Sequence, residues 1–169
     1  MAAQPIIYIV CSDRHRNGKT LLARVLVDYL MLDGHDPFVI DAGFPDGPLR
    51  AYFPGRTALV DFDQMQGRMK LFDTILESPG RDYVIDLPAP QTAPFFEAVT
   101  ELGFTDEARA RGFKTVFVPS ANAFEAAMVG GVEIIGIDDL NSLLNHLEGK
   151  ELIKAVEKPK QKPAKNTVS

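Results

Sequence analysis

Two apolar rhythms alternate along the chain. "IIYIV" (6–10) is a continuous run rich in β-branched residues, the pattern of a strand buried on both faces. "PFVID" (37–41), "DYVIDLP" (82–88), "KTVFVP" (114–119) and "VEIIGI" (132–137) read as four more strands. Between the first two, Leu21, Leu22, Val25, Leu26, Tyr29 and Leu30 fall at helical spacing, predicting a helix that stops near Gly34. "DFDQMQGRMKLFDTIL" (61–76) predicts a helix with Met65, Met69, Phe72 and Leu76 on one side. "APFFEAVTELG" (93–103), "ANAFEAAMVGG" (121–131) and "DDLNSLLNHLEG" (138–149) read as three further helices, the last with Asp138 and Asp139 as its cap. The Pro- and Gly-rich stretch 42–55 reads as a loop.

Strands alternating with helices imply an α/β fold: a parallel sheet with helices on both faces, joined by right-handed crossovers. Ligands of such sheets bind at the carboxyl ends of the strands. That rule places segments 11–20, 41–47 and 86–90 on one rim. No internal repeat is visible.

The first of these segments, "CSDRHRNGKT", carries the chemistry. A phosphate-binding loop reads G-x-x-x-x-G-K-[ST] and lies between a strand and a helix, as this segment does. Gly18 allows close backbone approach, Lys19 reaches the β- and γ-phosphates, and the Thr20 hydroxyl holds Mg²⁺. Helix N-terminal N–H groups and the helix dipole favour the anion. Position 13, where the first glycine belongs, is Asp13. Asp41 and Asp86 each end a strand, the second after "YVI", and a carboxylate there can support the magnesium directly or through water.

Composition narrows the classes. The chain has 169 residues, a net charge of −5 and a single cysteine, Cys11, which excludes an internal disulfide framework and fits a cytoplasmic location. No apolar run reaches the ~18 residues a membrane span needs, and no leader pattern is visible. Residues 154–169 hold five Lys and one Glu, so the acidity lies in the body. An acidic body argues against general nucleic-acid binding, and the basic tail is too polar to pack, so it is expected to be disordered. His15, His35 and His146 have no metal-ligand spacing, and Cys11 reads as a packing residue.

Residues 6–113 resemble the ParA/MinD superfamily of P-loop ATPases, whose deviant Walker A motif reads K-G-G-x-G-K-T. "RHRNGKT" aligns with it, with Arg14 in place of the signature lysine. "FVIDAG" and "RDYVIDLPAP" are similar to the family's two strands that end in Asp. The resemblance implies a P-loop NTPase-type three-layer fold with a five-stranded parallel sheet, its strands in the order 2-3-1-4-5. It implies ATP and Mg²⁺ as ligands and a nucleotide-dependent homodimer with a further protein partner. Arg14, His15, Arg16, Asn17, Gly18, Lys19, Thr20 and Leu21 would then cradle the nucleotide. Thr20, Asp41 and Asp86 would serve the metal. Arg14 and Lys19 would act on the transferring phosphoryl group. The family's water-positioning acid falls at Gly43, leaving Asp46 as the nearby carboxylate, so hydrolysis is expected to be slow.

Residues 108–150 resemble something different: the end of the Lon-protease-like domain of ComM and magnesium-chelatase-related proteins. "RGFKTVFVPSANAFEAAMVGGVEI" carries that likeness. The chain thus reads as a ParA-like front joined to a ComM-like back near "ARARGF", with one α/β domain over 1–153. The lysine and serine motifs of Lon-type proteolysis are not found, which argues against peptidase activity. Two other functions stay open: a non-catalytic α/β interaction module with a decayed nucleotide site, and a ComM-related fragment.

Overall fold

The computed structural model describes residues 4–12, 18–119, 133–137 and 140–155. These residues form β1 (Ile6–Cys11), α1 (Lys19–Leu32), β2 (Phe38–Asp41), α2 (Leu49–Tyr52), β3 (Thr57–Leu59) and α3 (Met65–Glu77). There follow β4 (Tyr83–Asp86), α4 (Ala89–Glu101), α5 (Phe104–Ala110), β5 (Lys114–Pro119), β6 (Glu133–Ile134) and α6 (Leu140–Leu147). All strand pairs are parallel, in the order β3-β2-β4-β1-β5-β6.

The central strand explains why its sequence is a continuous apolar run. Successive side chains of a strand point to opposite faces. Ile7, Ile9 and Cys11 enter one core with residues of α3, α4 and α5. Tyr8 and Val10 enter a second core with residues of α1, α2 and α6. Helices therefore cover both faces, making three layers. The first core is rich in phenylalanine: Phe72 and Phe104 ring centres lie 4.7 Å apart, and those of Phe96 and Phe117 4.9 Å. Each such ring, fully buried, contributes about 1.5–3 kcal/mol.

The strand starts are stitched by polar groups. Asp82 is buried just before β4. Its Oδ1 accepts the Ile6 N–H at 2.7 Å, and its Oδ2 lies 2.5 Å from His35 Nδ1. This fixes β1, β4 and the α1–β2 turn at the end of the sheet away from the rim. His35 thus has a structural task.

Several sequence expectations need correction. The sheet has six strands among the described residues, not five, because β3 adds an edge strand beside β2. The other five keep the expected relative order. The stretch expected to be a loop contains the one-turn helix α2. Helix α4 begins at Ala89, four residues before the expected start, and α5 follows it as a separate helix. On α3, Met65 and Met69 are 76% and 57% exposed. The buried side is Leu71, Phe72 and Ile75. Gly67 sets that rotation: a Cβ there would lie 1.9 Å from the Asp61 carbonyl oxygen, so Gly67, Leu71 and Ile75 face inward at intervals of four. On α1 the buried apolar residues are Leu22, Ala23, Leu26, Val27 and Leu30, while Leu21 is 60% exposed. The expected helix at 121–131, the Asp138–Asp139 cap and residues 156–169 of the basic tail lie outside the described residues.

Candidate functional site

A cleft of about 220 Å³ opens at the carboxyl ends of the central strands. Lys19, Thr20, Asp41, Gly43, Pro48, Asp86, Pro88 and Ala89 line it. Register explains the convergence. Val10 pairs with Asp86 across β1 and β4, and Asp41 pairs with Asp86 across β2 and β4. The two aspartates thus end neighbouring strands at the same height, and α1 starts beside them.

Gly18 caps α1 with φ 72° and ψ 14°. A side chain is disfavoured in that left-handed geometry, so the glycine is what lets the chain turn into the helix. The first helical bond runs from the Leu22 N–H to the Gly18 carbonyl at 2.8 Å. The N–H groups of Lys19, Thr20 and Leu21 belong to the open end of the helix, where the dipole is positive. The Leu21 side chain is exposed, so its part in the site is limited to its backbone.

The Thr20 hydroxyl donates to Asp86 Oδ2 at 2.8 Å. Asp86 is buried, and burial pushes its pKa up to about 6. The Thr20 hydrogen bond opposes that rise, the Asp41 carboxylate adds to it, and the Lys19 ammonium opposes it. Lys19 is itself buried, 8% exposed. A buried cation, a hydroxyl and a carboxylate with a raised pKa therefore meet at the head of one helix.

Asp41 has a different occupation. Its Oδ1 accepts the Gly43 N–H and its Oδ2 accepts the Leu49 N–H, both at 2.9 Å. One carboxylate thereby shapes the 42–48 loop and starts α2. A Cβ on Gly43 would lie 2.9 Å from Asp41 Oδ1, so a side chain there would press on the carboxylate that shapes the loop. Asp46 is exposed on the same loop and does not line the cleft. Of the predicted residues, the cleft unites Lys19, Thr20, Asp41 and Asp86. Gly18 and Leu21 flank it, and Arg14, His15, Arg16 and Asn17 lie outside the described residues.

Pro88 and Ala89 also line the cleft and belong to the 86–90 segment that the strand-end rule places on the rim, whereas Pro48 lies one residue beyond the 41–47 segment. Thr92 is a further contributor that spacing does not reveal. From α4 its hydroxyl donates to the Ser12 carbonyl at 3.0 Å, holding the chain where it leaves β1. Cys11, beside it, is buried, and burial pushes its thiol up to about 12 against the opposing pull of Lys19. It is a packing residue, inert as a nucleophile near neutral pH.

Elsewhere, a hollow of about 480 Å³ is lined by Gln4, Thr105, Arg109, Lys114 and Glu133, at the opposite end of the sheet. Lys114 pairs with Glu133 there and Arg109 with Asp106, so its charges are already matched. Among the described residues no helix is long and apolar enough to cross a membrane. Among them, too, no group of three or more His, Cys, Asp or Glu side chains is placed to hold a metal. A cation in the cleft would draw its remaining ligands from phosphate and water, the usual habit of Mg²⁺.

No family model matches the chain, and no curated protein matches it. What the cleft does rests on its own chemistry.

Proposed function

We propose that the cleft binds the phosphates of ATP with Mg²⁺, and that the protein is a slowly hydrolysing nucleotide switch of the ParA/MinD type, on a P-loop NTPase fold. The observation that carries this reading is the 2.8 Å bond from Thr20 to Asp86 at the head of α1, with Lys19 buried in the same cleft. A threonine hydroxyl and a strand-end carboxylate fit a hard cation that is already partly coordinated by phosphate oxygens. When bound, the metal would neutralise charge on those oxygens. Lys19 and the first-turn N–H groups would hold the phosphates. Asp86 would support the metal. Asp41, with both oxygens on backbone N–H groups, could act only through water and fixes the loop in any case. Arg14 would serve as the contact to a second copy in a nucleotide-dependent homodimer.

Calorimetric titration with ATP and Mg²⁺, wild type beside Lys19→Ala, tests the reading. Binding lost in the variant is expected. Equal binding by both proteins would remove the assignment.

One observation favours a second reading, an interaction module that holds nucleotide without turning it over. Gly43 offers no carboxylate, and Asp46 is exposed to solvent. Measured phosphate release at saturating ATP separates the two.

A further inference from the structure

The ladder that joins β4 to β1 runs one step past β4 and then loses its donor. Val10 pairs with Asp86, and the Leu87 N–H donates to the Val10 carbonyl at 3.0 Å. Donors to one neighbour recur at every second residue of a strand, so the next bond would run from the Ala89 N–H to the Ser12 carbonyl. Ala89 instead opens α4, directly after Pro88. The Thr92 hydroxyl, in the first turn of that helix, takes the vacant role and donates to the Ser12 carbonyl at 3.0 Å. Both residues are buried.

This hydroxyl is diverted from the local partner a helical threonine can take. Thr74 and Thr100, also on helices, donate to the carbonyls of Lys70 and Phe96, four residues back, at 2.6 and 2.9 Å. For Thr92 the equivalent bond, to the Pro88 carbonyl, is stretched to 3.4 Å, and the shorter one reaches a residue 80 positions away. What it holds is the chain on its way from β1 to Gly18 and the head of α1. Pro88 and Ala89 of the same α4 turn line the cleft, as do Lys19 and Thr20 at the head of α1. Thr92 therefore ties the α4 wall of the cleft to the strand exit that leads into its α1 wall.

We propose that Thr92 is a positioning residue for phosphate binding: its hydroxyl fixes the exit of β1, and through it the stance of Lys19 and the open N–H groups of α1 towards bound phosphates. The proposal rests on the phosphate reading of that cleft. An N–H group serves an anion only within about 2.7–3.2 Å, so a small drift of the strand exit costs affinity. Thr92 does not itself line the cleft. It acts through the backbone, and equally on any ligand that carries the same phosphates.

The test titrates ATP and inorganic tripolyphosphate, each with Mg²⁺, by calorimetry. Thr92→Val and Thr92→Ala both lack the hydroxyl and are expected to weaken both ligands about 10-fold, the upper worth of one net hydrogen bond. Thr92→Ser keeps the hydroxyl and retains wild-type affinity. Gln91→Ala is the control. It cuts the neighbouring tie of the α4 head, from Gln91 Nε2 to Asp63 Oδ1 at 2.9 Å, which does not involve β1. It should leave both affinities unchanged. Hydroxyl-free variants that bind like wild type, a Ser variant as weak as they are, or an equal loss in Gln91→Ala overturn the positioning role and leave the cleft reading intact. Binding that survives Lys19→Ala, or no binding by the folded wild type, overturns the cleft reading and this role with it.

Discussion

Replacing Asp86 with asparagine should make the protein more stable at neutral pH, although Asp86 lies at the centre of the cleft. Burial raises its pKa from the ordinary 3.8 to about 6, only partly offset by Thr20 and Lys19. A carboxyl whose pKa is higher in the folded than in the unfolded chain is most favourable to folding when protonated. Its contribution is complete below pH ~4 and is lost as the pH rises through about 6. Each pKa unit corresponds to about 1.36 kcal/mol, so the charged form costs the folded state about 3 kcal/mol at pH ~8. Asparagine is uncharged throughout, and its amide oxygen still accepts the Thr20 hydroxyl. Urea unfolding of both proteins from about pH 4 to 8 gives the difference, with titrating groups remote from Asp86 cancelling. The variant's advantage should be near zero at pH ~4 and grow to about 3 kcal/mol by pH ~8. A difference that is flat with pH, or that favours wild type at the alkaline end, would refute the reasoning. If the cleft takes Mg²⁺ and ATP, adding them should narrow the gap, because only the carboxylate is stabilised by the cation.

Other outcomes follow from the same geometry. Asp41→Ala strips the acceptors from two backbone N–H groups and should cost about 2–4 kcal/mol in urea unfolding, roughly 1–3 kcal/mol for the buried Leu49 N–H and about 1 kcal/mol for the part-buried Gly43 N–H. Asp41→Asn, which keeps one acceptor oxygen, should cost roughly half of that. Gly67→Ala drives a methyl into the Asp61 carbonyl and should lower stability by about 1–3 kcal/mol or more, read as a fall in Tm. The same change at Gly34, where a Cβ would meet open space but φ is 86°, should cost only about 1 kcal/mol. Lys19→Ala should abolish ATP binding by calorimetry while leaving the unfolding transition cooperative.

The parts of the fold legible in the sequence are those written in local apolar pattern. β1, β2, β4 and β5 are unbroken apolar runs, and pattern alone places each to within a few residues. β3 is not legible. It is three half-buried residues, Thr57–Leu59, just after the Gly- and Pro-rich stretch, and it is a strand because Val39 to Asp41 of β2 offer a partner. The rotation of α3 is misread from periodicity because methionine counts as apolar there. The backbone contact at Gly67, which fixes which side turns inward, involves no side chain. In the cleft, strand-end aspartates and the Gly-Lys-Thr triplet are visible as residue types at the right positions. Their division of labour is not. That Asp86 engages Thr20 while Asp41 is consumed by two backbone N–H groups follows from the path of the 42–48 loop, which no spacing rule encodes.

The sheet's outer strands bear on how the protein behaves in a crowded solution. Parallel sheets assemble slowly, and a long bare edge invites strand addition from another molecule. Among the described residues the interior strands run four to six residues, whereas the edges, β3 and β6, run three and two. The β3 edge exposes only a few ladder groups, a short template for a neighbouring chain to grip. The shortness that makes β3 hard to read in the sequence is also what protects that edge of the sheet from strand addition.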